Sequence, residues 1–265
     1  MMMLYLYEMG KELIEPSRIL DINETLRTPN LLNMQDRSIL VFDLDDTLYL
    51  ERDFVASGFR EVADVLGQRI GTEAYQVFRF MWGLFENGSR GHIFNQALCE
   101  FKQEDNDELV AELVNIYRFH QPKINLCPDV RNFLYDIKNG FALGLITDGW
   151  PRTQWQKIEA LDIARFFERI VVTDEWSIDY RKPHPRAFAE MEAYFNVSGA
   201  SCIYFGDNPL KDFATPKERG WLTIRVRWLG GLHEDVSLNK DAEADYTVKD
   251  LKQVKKILEC LSHAD

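Results

Sequence analysis

The run Ile39-Leu40-Val41-Phe42-Asp43-Leu44-Asp45-Asp46-Thr47-Leu48-Tyr49 places four apolar residues directly before three carboxylates in four positions. An apolar run this short, closed by acidic turn residues, reads as a buried strand that ends where the chain leaves the sheet. Carboxylates crowded at the mouth of such a strand repel one another by kilocalories in a low dielectric, so they need a cation or a proton to coexist. A divalent metal is the simplest compensation. Magnesium suits an all-oxygen site that keeps water and a substrate phosphate in its shell. Two carboxylates at i and i+2 can also divide the work of a hydrolysis. One attacks phosphorus, and the other protonates the leaving oxygen and later takes a proton from water.

Working outward, further short apolar runs recur at Phe141 to Ile146, Ile170 to Val172, Cys202 to Phe205 and Thr223 to Val226, with helical patterns between them. That alternation predicts an α/β fold, a Rossmann-like doubly wound sheet of parallel strands. Pro128 opens a helix with Val130, Phe133, Leu134 and Ile137 on one face, closed by Asn139-Gly140, and Pro151 opens another with Trp155, Ile158 and Leu161 inward. Leu251, Val254, Ile257, Leu258 and Leu261 mark a packed C-terminal helix. Between Phe54 and His120 the alternation stops and four helical patterns follow one another, which predicts an all-helical cap inserted after the first strand. The expected division is an N-terminal extension of unknown role at 1–37, a catalytic core at 38–52 and 122–265, and the cap at 53–121. A natural start at Met34 would account for the extension.

Each later strand also ends in polar residues of a particular kind. Ile146-Thr147-Asp148-Gly149 offers a hydroxyl and backbone N–H groups to a phosphate ahead of the helix opened by Pro151. Arg181-Lys182-Pro183 supplies a cation suited to a transferring phosphoryl group. Phe205-Gly206-Asp207-Asn208-Pro209-Leu210-Lys211-Asp212 carries an acidic pair five residues apart. Open α/β sheets bind ligands outside the carboxyl ends of their strands, so the fold would gather these segments at one edge.

With these four segments in this order, the sequence resembles the haloacid dehalogenase superfamily, carrying all four of its motifs and a helical cap after the first. The resemblance runs roughly from Ser38 to Thr247. It implies Asp43 as nucleophile and Asp45 as general acid and base. Thr147 and the Gly149 backbone would bind phosphate, and Lys182 would hold the phosphoryl group. Asp207 would complete a Mg²⁺ site with the Asp43 carboxylate and the Asp45 backbone carbonyl, and Asp212 would orient Lys182. Dehalogenating members lack the second aspartate of the first motif, so Asp45 argues for a phosphatase. Asp148 stands where many relatives carry asparagine, so its side chain is assigned no substrate contact. Two readings stay open beside this one, a phosphomutase acting on a sugar phosphate and a non-catalytic binding or regulatory protein that keeps the fold.

The leaving group would meet the cap. Asn87-Gly88-Ser89-Arg90-Gly91-His92 joins two cap helices, with Arg90 and His92 as candidate contacts, while Phe54, Trp82 and Trp150 could line a sugar or base pocket. The expected partner is a small phosphorylated metabolite, and a homo-oligomer is compatible with the sequence. A formal charge of −12 excludes nucleic acid or an anionic membrane as a partner unless a local basic patch exists. The densest basic stretch, Lys249 to Lys256, reads as a solvated helix face. Four scattered cysteines form no C-x-x-C pair, and no segment looks like a leader or a membrane span, so a cytoplasmic protein is expected.

Overall fold

The computed structural model describes residues 39–103, 107–234, 236 and 242–262. The extension at 1–37 and the start at Met34 lie outside the described residues. Six parallel strands form one sheet in the order β3-β2-β1-β4-β5-β6. They are β1 (Ile39–Phe42), β2 (Ala142–Thr147), β3 (Arg169–Val172), β4 (Cys202–Gly206), β5 (Leu222–Val226) and β6 (Tyr246–Val248). The short edge strand β6 has no counterpart in the sequence reading. Its three residues continue the ladder from β5, with Ile224 opposite Tyr246.

Successive strand side chains point to opposite faces, and the core divides accordingly. Leu40, Phe42, Leu143, Leu145, Ile203 and Phe205 enter one apolar layer, with α5 (Pro128–Ile137), α6 (Pro151–Ala160) and α8 (Leu251–Ser262) packed over it. Ile39, Val41, Ala142, Ile146, Cys202 and Tyr204 enter the other layer with Ala187, Phe188 and Met191 of α7 (Arg186–Phe195). β1 is buried over its whole length and lies between β2 and β4, with Phe42 opposite both Leu145 and Phe205. The acidic run that follows β1 is therefore delivered to the middle of the sheet edge. Both proline-opened helices begin at the expected residue. On α6 the inward face differs from expectation. Trp155 is half-exposed and its indole N–H donates to Glu175, while Gln154 and Lys157 are buried with Ile158 and Leu161.

Four helices separate β1 from the rest of the sheet: α1 (Glu51–Ile70), α2 (Ala74–Glu86), α3 (Ile93–Glu100) and α4 (Asp107–Phe119). Val55, Phe59, Val62, Leu66, Met81, Phe85, Leu98 and Leu113 gather into an apolar cluster of the insert's own. No helix among the described residues is long and apolar enough to cross a membrane. Lys249, Lys252, Lys255 and Lys256 are exposed, as the solvated-face reading expects.

One buried glycine fixes the return into β4. A Cβ on Gly199 would lie 1.9 Å from the backbone oxygen of Arg219, and a backbone atom cannot swing aside as a side-chain tip can. Gly199→Ala should cost about 1–3 kcal/mol through overpacking, and each kcal/mol should lower Tm by roughly 2–4 °C. A thermal melt of the variant unchanged within a degree or so would contradict this close approach.

Candidate active site

The carboxyl ends of β1, β2 and β4, with the loop after β3, meet on one edge of the sheet. Lys182 is at the centre. Its ammonium is fully buried and uses its three N–H bonds on Asp43 Oδ1 at 2.8 Å, Asp212 Oδ1 at 2.8 Å and the Tyr204 hydroxyl at 2.8 Å. Burial alone would strip its proton, but the charges of Asp212 and Asp43 outweigh it and raise its pKa. Asp212 is fixed in turn: Tyr204 donates to its Oδ1 at 3.2 Å and the Asn208 N–H to its Oδ2 at 2.9 Å. Burial would raise the Asp212 carboxyl, yet Lys182 and Lys211 hold it below the usual carboxylate range.

Asp43 has a free arm. Its Oδ2 is buried and accepts no hydrogen bond, and burial pushes the carboxyl up to about 6 despite Lys182. Asp207 makes no ion pair among the described residues, and burial together with Asp212 and Asp43 pushes it up to about 9. Asp43, Asp207 and Asp212 form a buried trio whose ligand atoms lie within 4.8 Å of one another, able to hold a metal ion. An orphaned carboxylate oxygen beside an unpaired buried carboxylate is the donor set a hard divalent cation fits. Asp212, whose oxygens are already occupied, is suited to fixing Lys182 beside it.

Asp45 points elsewhere. Lys157 of α6 grips both of its oxygens, at 2.7 and 2.9 Å, and the Tyr49 hydroxyl donates to the same carboxylate. Burial raises its pKa, but Lys157 and Tyr49 together hold it below the ordinary range. The Lys157 ammonium also lies 4.4 Å above the Phe54 ring of the insert. Glu51, at the start of α1, is pushed up to about 7 by burial and by Asp45.

The turn after β2 is built around Gln154. The Thr147 hydroxyl donates to Gln154 Oε1 at 2.8 Å, and a Cβ on Gly149 would lie 2.6 Å from Gln154 Nε2. Gly149 also has φ +129, which a side chain would strain. Its N–H donates to Asp174 Oδ1 at 3.3 Å. Asp148 also lines the cleft, but its oxygens are engaged. Its oxygens accept from the Thr173 hydroxyl at 2.8 Å, the Lys182 N–H at 3.1 Å and the Lys211 ammonium at 3.3 Å.

Beside this edge lies a cleft of about 390 Å³ between sheet and insert, lined by Asp45, Gly149, Trp150, Lys182, Phe54 and Arg118 among others. Of the three aromatic candidates, Phe54 and Trp150 line it. Trp82 is partly buried against the insert's own cluster, 5.9 Å from the Phe78 ring. The Asn87-to-His92 turn does not reach the cleft. Arg90 donates to the carbonyls of Phe85 and Ser89 and lies 4.3 Å over the Phe85 ring, and His92 is exposed with φ +57. The insert's cationic contribution to the cleft is Arg118, near the end of α4.

The model of the haloacid dehalogenase-like hydrolase family matches residues 40–226, more than half of the chain. The chain belongs to that family. Among related proteins, this HAD-like hydrolase is 28% identical over 234 residues to the glyceraldehyde 3-phosphate phosphatase of Pyrococcus furiosus, covering 85% of this chain and 95% of that protein. It is 26% identical over 255 residues to the phosphoserine phosphatase of Thermus thermophilus, covering 82% and 97%. In fold it is similar to a magnesium-bound putative HAD-hydrolase of Bacillus subtilis, with a TM-score of 0.61 at 18% identity over 84% of this chain and 99% of that one.

Lys157, Tyr49, Tyr204 and Arg118 escaped the sequence reading of this HAD-like hydrolase. Lys157 carried a faint signal, since it falls three residues after Gln154 on a helix face that also holds Ile158 and Leu161. Arg118 carried none.

Proposed function

We propose that this chain, a phosphoric monoester hydrolase of the HAD-like family, takes phosphate from a small phosphorylated metabolite through a covalent phosphoaspartyl intermediate on Asp43. The observation that carries the reading is the state of the Asp43 carboxylate: one oxygen held by Lys182, the other buried and unpartnered. A carboxylate fixed in that way is suited to in-line attack on phosphorus.

In the first half-reaction an Asp43 oxygen forms a bond to phosphorus as the ester P–O bond breaks, and Asp45 gives its proton to the departing alkoxide. In the second, water attacks phosphorus, Asp45 takes its proton, and the bond to Asp43 breaks, releasing phosphate. Lys182 neutralises charge on the transferring group, and Thr147 and Gly149 hold its oxygens, which requires the Thr147 hydroxyl to leave Gln154 and the Gly149 N–H to leave Asp174. Asp45 must leave Lys157 and gain a proton to act as the acid, so its present grip describes the resting arrangement. Mg²⁺, held by Asp43, Asp207 and the Asp45 backbone carbonyl, would supply positive charge to the phosphoryl oxygens when bound.

In this reading residues 53–121 are the cap over a catalytic core of 38–52 and 122–265. The glyceraldehyde 3-phosphate and phosphoserine phosphatase relatives both act on three-carbon phosphate esters, and a cleft of this volume suits a ligand of that scale. The test is hydrolysis of p-nitrophenyl phosphate by the purified chain. Stripping divalent metal with EDTA should lower the rate at least about 100-fold, because the charge on the transferring group loses its main counterweight. Added Mg²⁺ should restore it. Equal rates in EDTA and Mg²⁺ would reject the metal, and no phosphate release under either condition would reject the phosphatase.

A further inference from the structure

Five cations line the cleft, and four of them are already matched to a carboxylate. Lys157 holds Asp45, Lys182 holds Asp43 and Asp212, Lys211 faces Asp148, and Arg181 clasps Asp174. Arg118 has no carboxylate within ion-pair distance among the described residues, although Glu51 lines the same cleft. Its side chain donates no hydrogen bond to any described residue.

Arg118 is nonetheless held in place. Its guanidinium lies 4.9 Å over the half-exposed ring of Trp150, the residue directly after Gly149. The end of α4 is also pinned to α6 by two hydrogen bonds. The Thr153 hydroxyl donates to the Arg118 carbonyl at 3.0 Å, and Gln156 Nε2 donates to the Phe119 carbonyl at 3.3 Å. A guanidinium seated over an aromatic ring spends no hydrogen bond on a carboxylate, and its fork of N–H groups matches one. It has already lost much of the rotamer freedom that binding would otherwise remove.

We propose that Arg118 is the specificity-determining residue of the cleft and that the preferred substrates are phosphate monoesters whose alcohol portion carries a carboxylate. The inference rests on the phosphatase reading above and narrows its substrate class. The phosphate occupies the sheet edge near Lys182, and the carboxylate at the other end of the substrate meets the open edge of Arg118. A neutral or cationic alcohol would leave the arginine unmatched.

The experiment compares kcat/KM for substrate pairs that differ by that one group, O-phosphoserine against phosphoethanolamine and phosphoglycolate against ethyl phosphate, in the wild type and in Arg118→Gln. A charge-assisted pair predicts a wild-type preference of about 10- to 100-fold for the acid in each pair. In Arg118→Gln that preference should collapse to within a few-fold, mainly through KM, with Arg118→Lys recovering part of it. Thermal melts confirm that the variants are folded. If the wild type hydrolyses p-nitrophenyl phosphate but treats the two members of each pair alike, the assignment to Arg118 is overturned and the phosphatase reading stands. A wild-type preference that survives Arg118→Gln overturns it too. Absence of any aryl phosphate hydrolysis removes the phosphatase reading, and this inference with it.

Discussion

Replacing Asp43 by asparagine is expected to lower kcat by at least about 10⁴-fold, the scale seen when a covalent nucleophile is removed. An amide oxygen cannot form a stable acyl phosphate, and no neighbour can take its place. The Asp212 carboxylate accepts from three donors, and Asp45 is held by Lys157. The fold should survive, because Lys182 keeps Asp212 and Tyr204 as partners. In EDTA the variant should be at least as stable as the wild type above about pH 6, and the sign follows from linkage. Burial raises the Asp43 pKa from 3.8 to about 6, so the folded chain binds the proton more tightly than the unfolded chain. Stability from this group is complete below 3.8 and is lost as pH rises through about 6. Asparagine carries no charge and avoids that loss. Single-turnover phosphate release together with thermal melts in EDTA checks both halves. Residual turnover above about one part in a thousand would remove Asp43 as nucleophile.

The parts of this molecule that could be read in advance are those in which backbone and chemistry are local. β1 is legible because four apolar residues have nowhere to go but a buried strand. α5 and α6 are legible because a proline at the first helical position leaves no N–H unsatisfied. The residues gathered at the sheet edge were visible as strand ends, since parallel pairing in register brings Asp43, Thr147 and Asp207 to the same side whatever the helices do. What stayed hidden depends on how helices dock. Lys157 looks like any surface lysine until α6 turns it inward onto Asp45. Arg118 joins the cleft only because Thr153 and Gln156 pin the end of α4. Trp155 was misread because size and apolarity favour burial, whereas the indole N–H gains an exposed partner in Glu175. β6 was missed because three residues are too few to show a period.

Replacing Lys182 by methionine is expected to abolish turnover and to destabilise the metal-free chain by about 3–5 kcal/mol near pH 8, as removal of one partner from a buried ion pair does. The stem of methionine fills part of the volume, so the loss is chiefly electrostatic. Asp43 and Asp212 would remain buried beside Asp207 with their central cation gone, and Lys211, the other cation acting on both, is already engaged with Asp148. The pH dependence separates this cause from simple misfolding. In the wild type Lys182 and Lys211 depress the Asp212 pKa against burial, so that group contributes stability above its unfolded value of 3.8 and loses it on acidification. In the variant, burial without Lys182 drives the same carboxyl upward, so acidification restores stability instead. The gap between the two proteins should therefore narrow as pH falls from about 8 to about 5. Mg²⁺ should narrow it as well, because a divalent cation shared by Asp43 and Asp207 replaces part of the lost charge. Urea unfolding in EDTA at both pH values, repeated with Mg²⁺, measures these differences. A gap that stays constant across pH and metal would mean that Lys182 contributes packing alone, and that the aspartates at the sheet edge are not held together by charge.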